Sequence, residues 1–168
     1  IVAVEWRTGR IAWQQEIASD HRSTVFAPVA DARGAIAAFT TFGAPAIGGL
    51  AAFDPENGRV LWRRVFPAES GASSGWAGGP VLTSTLVVVA DATGRIIGID
   101  RATGETAWTI PYEAPVAGRP SVQEFRSLAV VRDTIFASAL DGSVAAYRLS
   151  DRSTIWRYFD PRNGSAGF

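Results

Sequence analysis

The 168-residue chain is 47% hydrophobic and 19% charged, with a formal net charge of zero. That balance excludes a disordered chain and supplies no basic surface for nucleic acid or anionic lipid. Its longest apolar run, Thr85 to Ala90, has the length of a strand, far short of the roughly 20 residues that cross a bilayer as a helix.

The absence of cysteine removes disulfides, thiolate metal sites and cysteine nucleophiles together. All sixteen basic residues are arginine, which we read as coding bias in the source. Methionine is absent and no signal-peptide pattern precedes Val2 to Gly9, so the chain reads as a piece of something longer.

In chain order, the first elements are two short runs, at Val2 to Glu5 and around Trp13. Three sets of four runs follow. The first comprises Ala27–Asp31 (APVAD), Gly34–Thr40 (GAIAAFT), Gly48–Asp54 (GGLAAFD) and Arg59–Val65 (RVLWRRV). The second comprises Gly79–Thr83 (GPVLT), Thr85–Asp91 (TLVVVAD), Gly94–Asp100 (GRIIGID) and Glu105–Pro111 (ETAWTIP). The third comprises Ser127–Val131 (SLAVV), Thr134–Leu140 (TIFASAL), Gly142–Arg148 (GSVAAYR) and Ser153–Phe159 (STIWRYF).

Short β-branched or aromatic runs punctuated by Gly, Asp, Asn and Ser read as strands. Four antiparallel strands recurring at a fixed period describe the blades of a β-propeller. The prediction is an all-β chain with blades over about 23–65, 79–111 and 127–159. Residues 1–17 supply the outer strands, C and D, of a preceding blade, and 160–168 begin another. About three and a half blades of a larger, eight-bladed-type ring are therefore expected. With exposed edges and an uncovered face, the segment is not expected to be a stable closed monomer.

Each set ends on a tryptophan: Trp13, Trp62, Trp108 and Trp156 stand 49, 46 and 48 residues apart. Gly9, Gly58 and Gly104 lie four residues before the first three, and Glu5, Asp54 and Asp100 lie eight before. The fourth copy has Arg148 and Arg152 at those places, which predicts a degenerate turn. Elsewhere the glycine is expected at positive φ in a tight hairpin. The carboxylate of Asp100, with the Thr103 hydroxyl, is expected to bind backbone N–H groups across it. The tryptophan is expected to cover the seam between blades, its N–H satisfying an exposed carbonyl.

The segments "GIDRATGETAW" and "AFDPENGRVLW" resemble the tryptophan-docking repeat of quinoprotein-type, or pyrroloquinoline-quinone-like, propellers. "VEWRTGRIAW" departs by Glu5 and "AFDPENGRVLW" by Asn57. The resemblance covers essentially the whole chain and implies fold more strongly than function. It leaves three readings. A quinone-dependent alcohol or sugar dehydrogenase would hold pyrroloquinoline quinone and calcium, with Glu, Asn and Asp ligands and often an adjacent cysteine pair. The segment lacks that pair, and no carboxylate cluster is evident. A non-catalytic envelope scaffold, similar to the propeller lipoprotein of outer-membrane protein assembly, would keep the tryptophans alone. A sensory or accessory propeller would offer one face to a ligand or partner.

We favour the scaffold, outside the cytoplasm, with no catalytic, cofactor-binding or metal residue assigned. Its partner is expected to be a protein or the rest of the ring, with no nucleic acid and no membrane span. The longer D-to-A connections carry the candidate contact face: His21, Trp76, Arg119, Glu124 and Arg126. For Trp76 a stacking platform competes with packing under its own loop, which we prefer.

Overall fold

A computed structural model describes residues 1–17, 23–41, 47–66, 75–111, 125–139 and 142–158. A two-stranded hairpin, β1 (Val2–Val4) with β2 (Ile11–Gln14), comes first. Three antiparallel sheets follow. The first runs from β3 (Ser23–Val25) and β4 (Val29–Asp31), both paired with β5 (Gly34–Thr41), to β6 (Ile47–Phe53) and β7 (Val60–Phe66). The second is β8 (Val81–Leu82), β9 (Leu86–Ala90), β10 (Ile96–Asp100) and β11 (Thr106–Ile110). The third is β12 (Phe125–Val131), β13 (Thr134–Ala139), β14 (Val144–Arg148) and β15 (Thr154–Tyr158). Each sheet is a meander, and together they form part of a β-propeller, as the repeats predicted.

The inner strand is where the sheets differ. In the first blade it is split into β3 and β4 around Ala27-Pro28. Proline has no N–H to give a ladder, so pairing stops there and resumes beyond it. The second blade repeats the break. Trp76 makes one bridge to Asp91, the chain passes through Gly78-Gly79-Pro80, and pairing resumes at Val81. In the third blade β12 is continuous, with one register shift between Phe125 and Ser127.

Packing follows the two-residue period of a strand, whose alternate side chains face opposite sides of the sheet. In β5, Ala35, Ala37 and Phe39 join a cluster with Ile17 and Trp13, while Ile36 and Ala38 join the next blade's Val87, Val89, Ile97 and Ile99. In β9, Val87 and Val89 face the first blade, whereas Val88 and Ala90 meet Phe125, Ile135 and Tyr147 of the third. A middle strand with a blade on each side is buried throughout, which explains runs such as "LVVVA". In β13, Ile135, Ala137 and Ala139 are buried while Thr134, Phe136 and Ser138 are only partly so. One face of that blade therefore has no neighbour among the described residues.

The same chemical change should have very different consequences on the two sides of this pattern. Ile135→Ala, at a fully buried position between blades, should cost about 2–5 kcal/mol in urea unfolding. Ile155→Ala, on exposed β15, should cost no more than about 0.5 kcal/mol.

Candidate functional site

Four hairpins carry the repeated segment, and their backbones are alike. The first residue's N–H donates to the carbonyl five residues on at 2.8 Å in every case: Glu5 to Arg10, Asp54 to Arg59, Asp100 to Glu105, and Arg148 to Ser153. The fifth residue donates back at 2.8–2.9 Å, from Gly9, Gly58, Gly104 and Arg152. Gly9, Gly58 and Gly104 have φ of 71°, 74° and 75°, the left-handed region that glycine enters without a Cβ clash. Asp100 Oδ1 accepts the backbone N–H groups of Ala102 and Thr103 and the Thr103 hydroxyl at 2.9–3.0 Å. The Thr103 bonds, first from its N–H and then from its hydroxyl, lower the Asp100 pKa. In the second hairpin the Asn57 amide donates to Asp54 at 3.0 Å in place of the threonine.

The fourth hairpin corrects the expectation of a degenerate turn. Arg152 adopts φ 66°, so the backbone is kept although the glycine is not. Asp151 replaces the missing carboxylate, accepting the Ser153 hydroxyl and N–H at 2.6 and 2.9 Å. Those two bonds, the hydroxyl's first, lower its pKa.

Each of the first two tryptophans docks on the hairpin of the following blade. Trp13 Nε1 donates to the Pro55 carbonyl at 3.0 Å, and Trp62 Nε1 to the Arg101 carbonyl at 2.8 Å. The indole rings lie on the turn glycines: a Cβ on Gly58 would come within 2.6 Å of Trp13, and one on Gly104 within 2.8 Å of Trp62. The glycine is thus required twice, for its φ and for the ring above it.

Ion pairs flank the second joint. Arg64 meets Glu105 at 2.9 Å, an exposed pair that contributes little. Arg101 binds Asp31 of the preceding blade through both guanidinium ends, and its Nη1 reaches the Thr83 carbonyl at 3.1 Å. Hydrogen bonds from Arg101, then from the Arg33 backbone, hold the Asp31 carboxyl well below the usual carboxylate range, and Asp31 raises Arg101 in return. A cleft of about 290 Å³ lies beside this joint, between Arg33 and Leu61 on one blade and Ser84, Thr85 and 100–102 on the next. Arg101 and Asp100 on its wall are already hydrogen-bonded to protein groups.

Trp108 and Trp156 depart from the pattern. Trp108 folds over its own blade, where a Cβ on Gly98 would come within 2.1 Å of its ring. The turn ahead of it carries Arg152, whose Cβ would occupy the seat that glycine leaves open. Trp156 is 44% exposed, its ring tilted against Phe136 at 6.2 Å.

Trp76 is packed rather than displayed. It is 5% exposed, so it is no surface platform, and it packs on the preceding blade. Its Nε1 donates to the Gly49 carbonyl at 2.7 Å, its backbone N–H to the Thr40 hydroxyl at 2.9 Å, and its ring meets Phe66 edge-on at 5.2 Å. The readable signal was its place ahead of Gly-Gly-Pro-Val, matching Phe26 ahead of Ala-Pro-Val. His21, Arg119 and Glu124 lie outside the described residues. Arg126 lies on β12 with an exposed side chain, its backbone carbonyl against Gly78.

Among the described residues no three His, Cys, Asp or Glu side chains gather as a metal site. Asp54, Asp91, Asp100 and Asp151 each serve their own turn. Such a dispersed set does not fit the Glu, Asn and Asp ligands that calcium would need beside a quinone.

Three outcomes test the joint by equilibrium unfolding. Gly104→Ala should cost more than the ~1 kcal/mol of its φ alone, because the Cβ also meets Trp62, whereas Arg152→Gly should stabilise by about 1 kcal/mol. Trp62→Phe should cost about 1 kcal/mol more than Trp108→Phe, since only Trp62 loses an indole hydrogen bond. The third concerns acid. Because folding lowers the Asp31 pKa, its contribution is present above the ordinary carboxylate range and is lost as pH falls through the folded value. Asp31→Asn should therefore melt below the parent at neutral pH, with the gap closing on acidification.

The family described as outer membrane protein assembly factor BamB matches residues 46–167. The chain is 29% identical over 161 residues to BamB of Xanthomonas campestris pv. campestris, covering 91% of this chain and 37% of that protein. It is 28% identical over 134 residues to BamB of Alteromonas naphthalenivorans, covering 70% of this chain and 30% of that one. The chain thus spans about a third of the length of these relatives. In fold it is similar to the crystal structure of BamB from Moraxella catarrhalis, with a TM-score of 0.57, 19% identity, and coverage of 95% of this chain and 58% of that one. The WD40 repeats of RRP9 share the fold at a TM-score of 0.62 and 16% identity, over 84% of this chain and 40% of that one. The repeats, the docked tryptophans and the match over 46–167 agree: the chain belongs to the outer membrane protein assembly factor BamB family.

Proposed function

We propose that this segment is a non-catalytic scaffold and binding module of an outer membrane protein assembly factor, working in the cell envelope outside the cytoplasm through contacts with other proteins. The observation that carries this reading is where the repeat's polar groups go. The indole N–H of Trp13 and of Trp62, and the carboxylates of Asp54 and Asp100, are committed to turns and blade joints. The repeat builds a rigid frame and, among the described residues, presents no paired acid and base to a substrate. Recognition then falls to the connections between blades, where loops on a fixed scaffold reside. We place the contact face at His21, Arg119, Glu124 and Arg126.

The test is complementation. The full-length gene that carries this segment should restore outer-membrane β-barrel levels in a bacterium lacking BamB. His21→Ala with Arg119→Ala and Glu124→Ala should lower that rescue without lowering the melting temperature. Calorimetric titration of the segment with pyrroloquinoline quinone and Ca²⁺ should show no submicromolar site. Calcium-dependent quinone binding of that strength would instead assign the segment to a dehydrogenase.

A further inference from the structure

The joint between the first and second blades and the joint between the second and third are built differently. Polar side-chain contacts bind the first blade to the second: Trp62 to the Arg101 carbonyl, Arg64 to Glu105, Arg101 to Asp31, and Trp76 to the Gly49 carbonyl. Equivalent positions along the repeat give the residues that stand at the next joint in their stead. Ile110 and Ser153 hold the places of Arg64 and Glu105, and Thr83 and Leu149 those of Asp31 and Arg101. Phe125, paired with Ala139, holds the place of Trp76, which bridges Asp91. Neither pair can form an ion pair, and a phenyl ring has no N–H to donate.

Trp108 completes the difference. Its cross-strand partner is Gly98, whereas Trp13, Trp62 and Trp156 stand opposite Ala3, Ala52 and Ala146. The missing methyl group lets the indole lie on its own sheet, since a Cβ on Gly98 would come within 2.1 Å of the ring. Across the seam, Arg152 stands where the docked hairpins have Gly58 and Gly104, with the same left-handed backbone. The two residues act in one direction: Gly98 takes the indole away from the seam, and Arg152 closes its seat. The packing at this seam is apolar, with Val88, Ala90 and Ile96 against Phe125, Ile135 and Tyr147. Such burial is non-directional, so these faces stay packed over a range of angles, whereas hydrogen bonds hold the preceding joint to a narrow one.

We propose that the seam between the second and third blades is the compliant joint of this segment. The first two blades move as one body, and the third rocks against them by small sliding of the packed apolar faces. Gly98 and Arg152 are its positioning residues, acting through where they put Trp108.

The test is pulsed dipolar spectroscopy on the full-length polypeptide that carries this segment, with any cysteine elsewhere replaced by serine. The segment itself has no cysteine, and Val60, Thr106 and Thr154 are exposed, each two residues before its tryptophan. Spin labels on Val60→Cys with Thr106→Cys span the joint between the first and second blades. Labels on Thr106→Cys with Thr154→Cys span the next joint from equivalent positions. The distance distribution should be at least about 1.5 times broader for the second pair. Gly98→Ala with Arg152→Gly should drive Trp108 off its sheet into the reopened seat and slow exchange of its indole N–H at least about tenfold. The same variant should narrow the broad distribution to the width of the first. Thr83→Asp with Leu149→Arg rebuilds the pairing of Asp31 with Arg101 and should narrow it independently. Equal widths across the two joints of the parent would overturn the proposal, as would a broad distribution that neither double variant narrows.

Discussion

The first two joints between blades depend on one contact, an indole resting on a glycine of the next blade's hairpin. The contact fixes several residues together. The glycine must lack a Cβ because the ring lies where the Cβ would be, 2.6 Å away at Gly58 and 2.8 Å at Gly104. The carbonyl that receives the indole N–H belongs to the residue after the turn carboxylate, at Pro55 or Arg101. The carboxylate in turn holds the hairpin that presents this carbonyl. Asp, Thr, Gly and Trp therefore recur at fixed spacing because each positions the next.

The indole seats carry direction more than bulk stability. Stabilisation by area comes from the apolar clusters between blades, built from Val87, Val89, Ile97 and Ile99 on one side of the second blade and Val88, Ile96, Ile135 and Tyr147 on the other. Apolar burial is non-directional and does not by itself fix the angle at which neighbouring blades meet. Hydrogen bonds from Trp13 and Trp62 set that angle at the outer rim, and the Trp76 bond to Gly49 adds a link from the following blade's inner strand. The second-to-third joint has the apolar cluster without the docked indole, because Trp108 lies on Gly98 and Arg152 fills the seat ahead of it.

The repeat made the fold legible. Tryptophans at near-constant spacing, with glycine four residues earlier, specified hairpin, sheet order and seam. Two features were hidden for physical reasons. Arg152 looked like a lost turn because sequence reports the preference for glycine at positive φ, whereas the neighbouring hydrogen bonds of Arg148 and Asp151 impose that φ on arginine. Trp76 looked like a loop residue because its partners, Thr40 and Gly49, lie far away in sequence and carry no pattern that pairs with it. Of the candidate contact face, only Arg126 is a described residue with its side chain exposed, so sequence argument still carries that assignment.

Hydrogen exchange at the six indole N–H groups, followed by NMR in the folded chain, tests the joint most directly. Donors to a backbone carbonyl of a neighbouring blade should be protected, and these are Trp13, Trp62 and Trp76. Trp6, at 84% exposure, should exchange rapidly in dilute solution. Rapid exchange at Trp62 while the backbone amides of β9 and β10 stay protected would contradict the account, since the Trp62 seat would then be unoccupied in the folded chain.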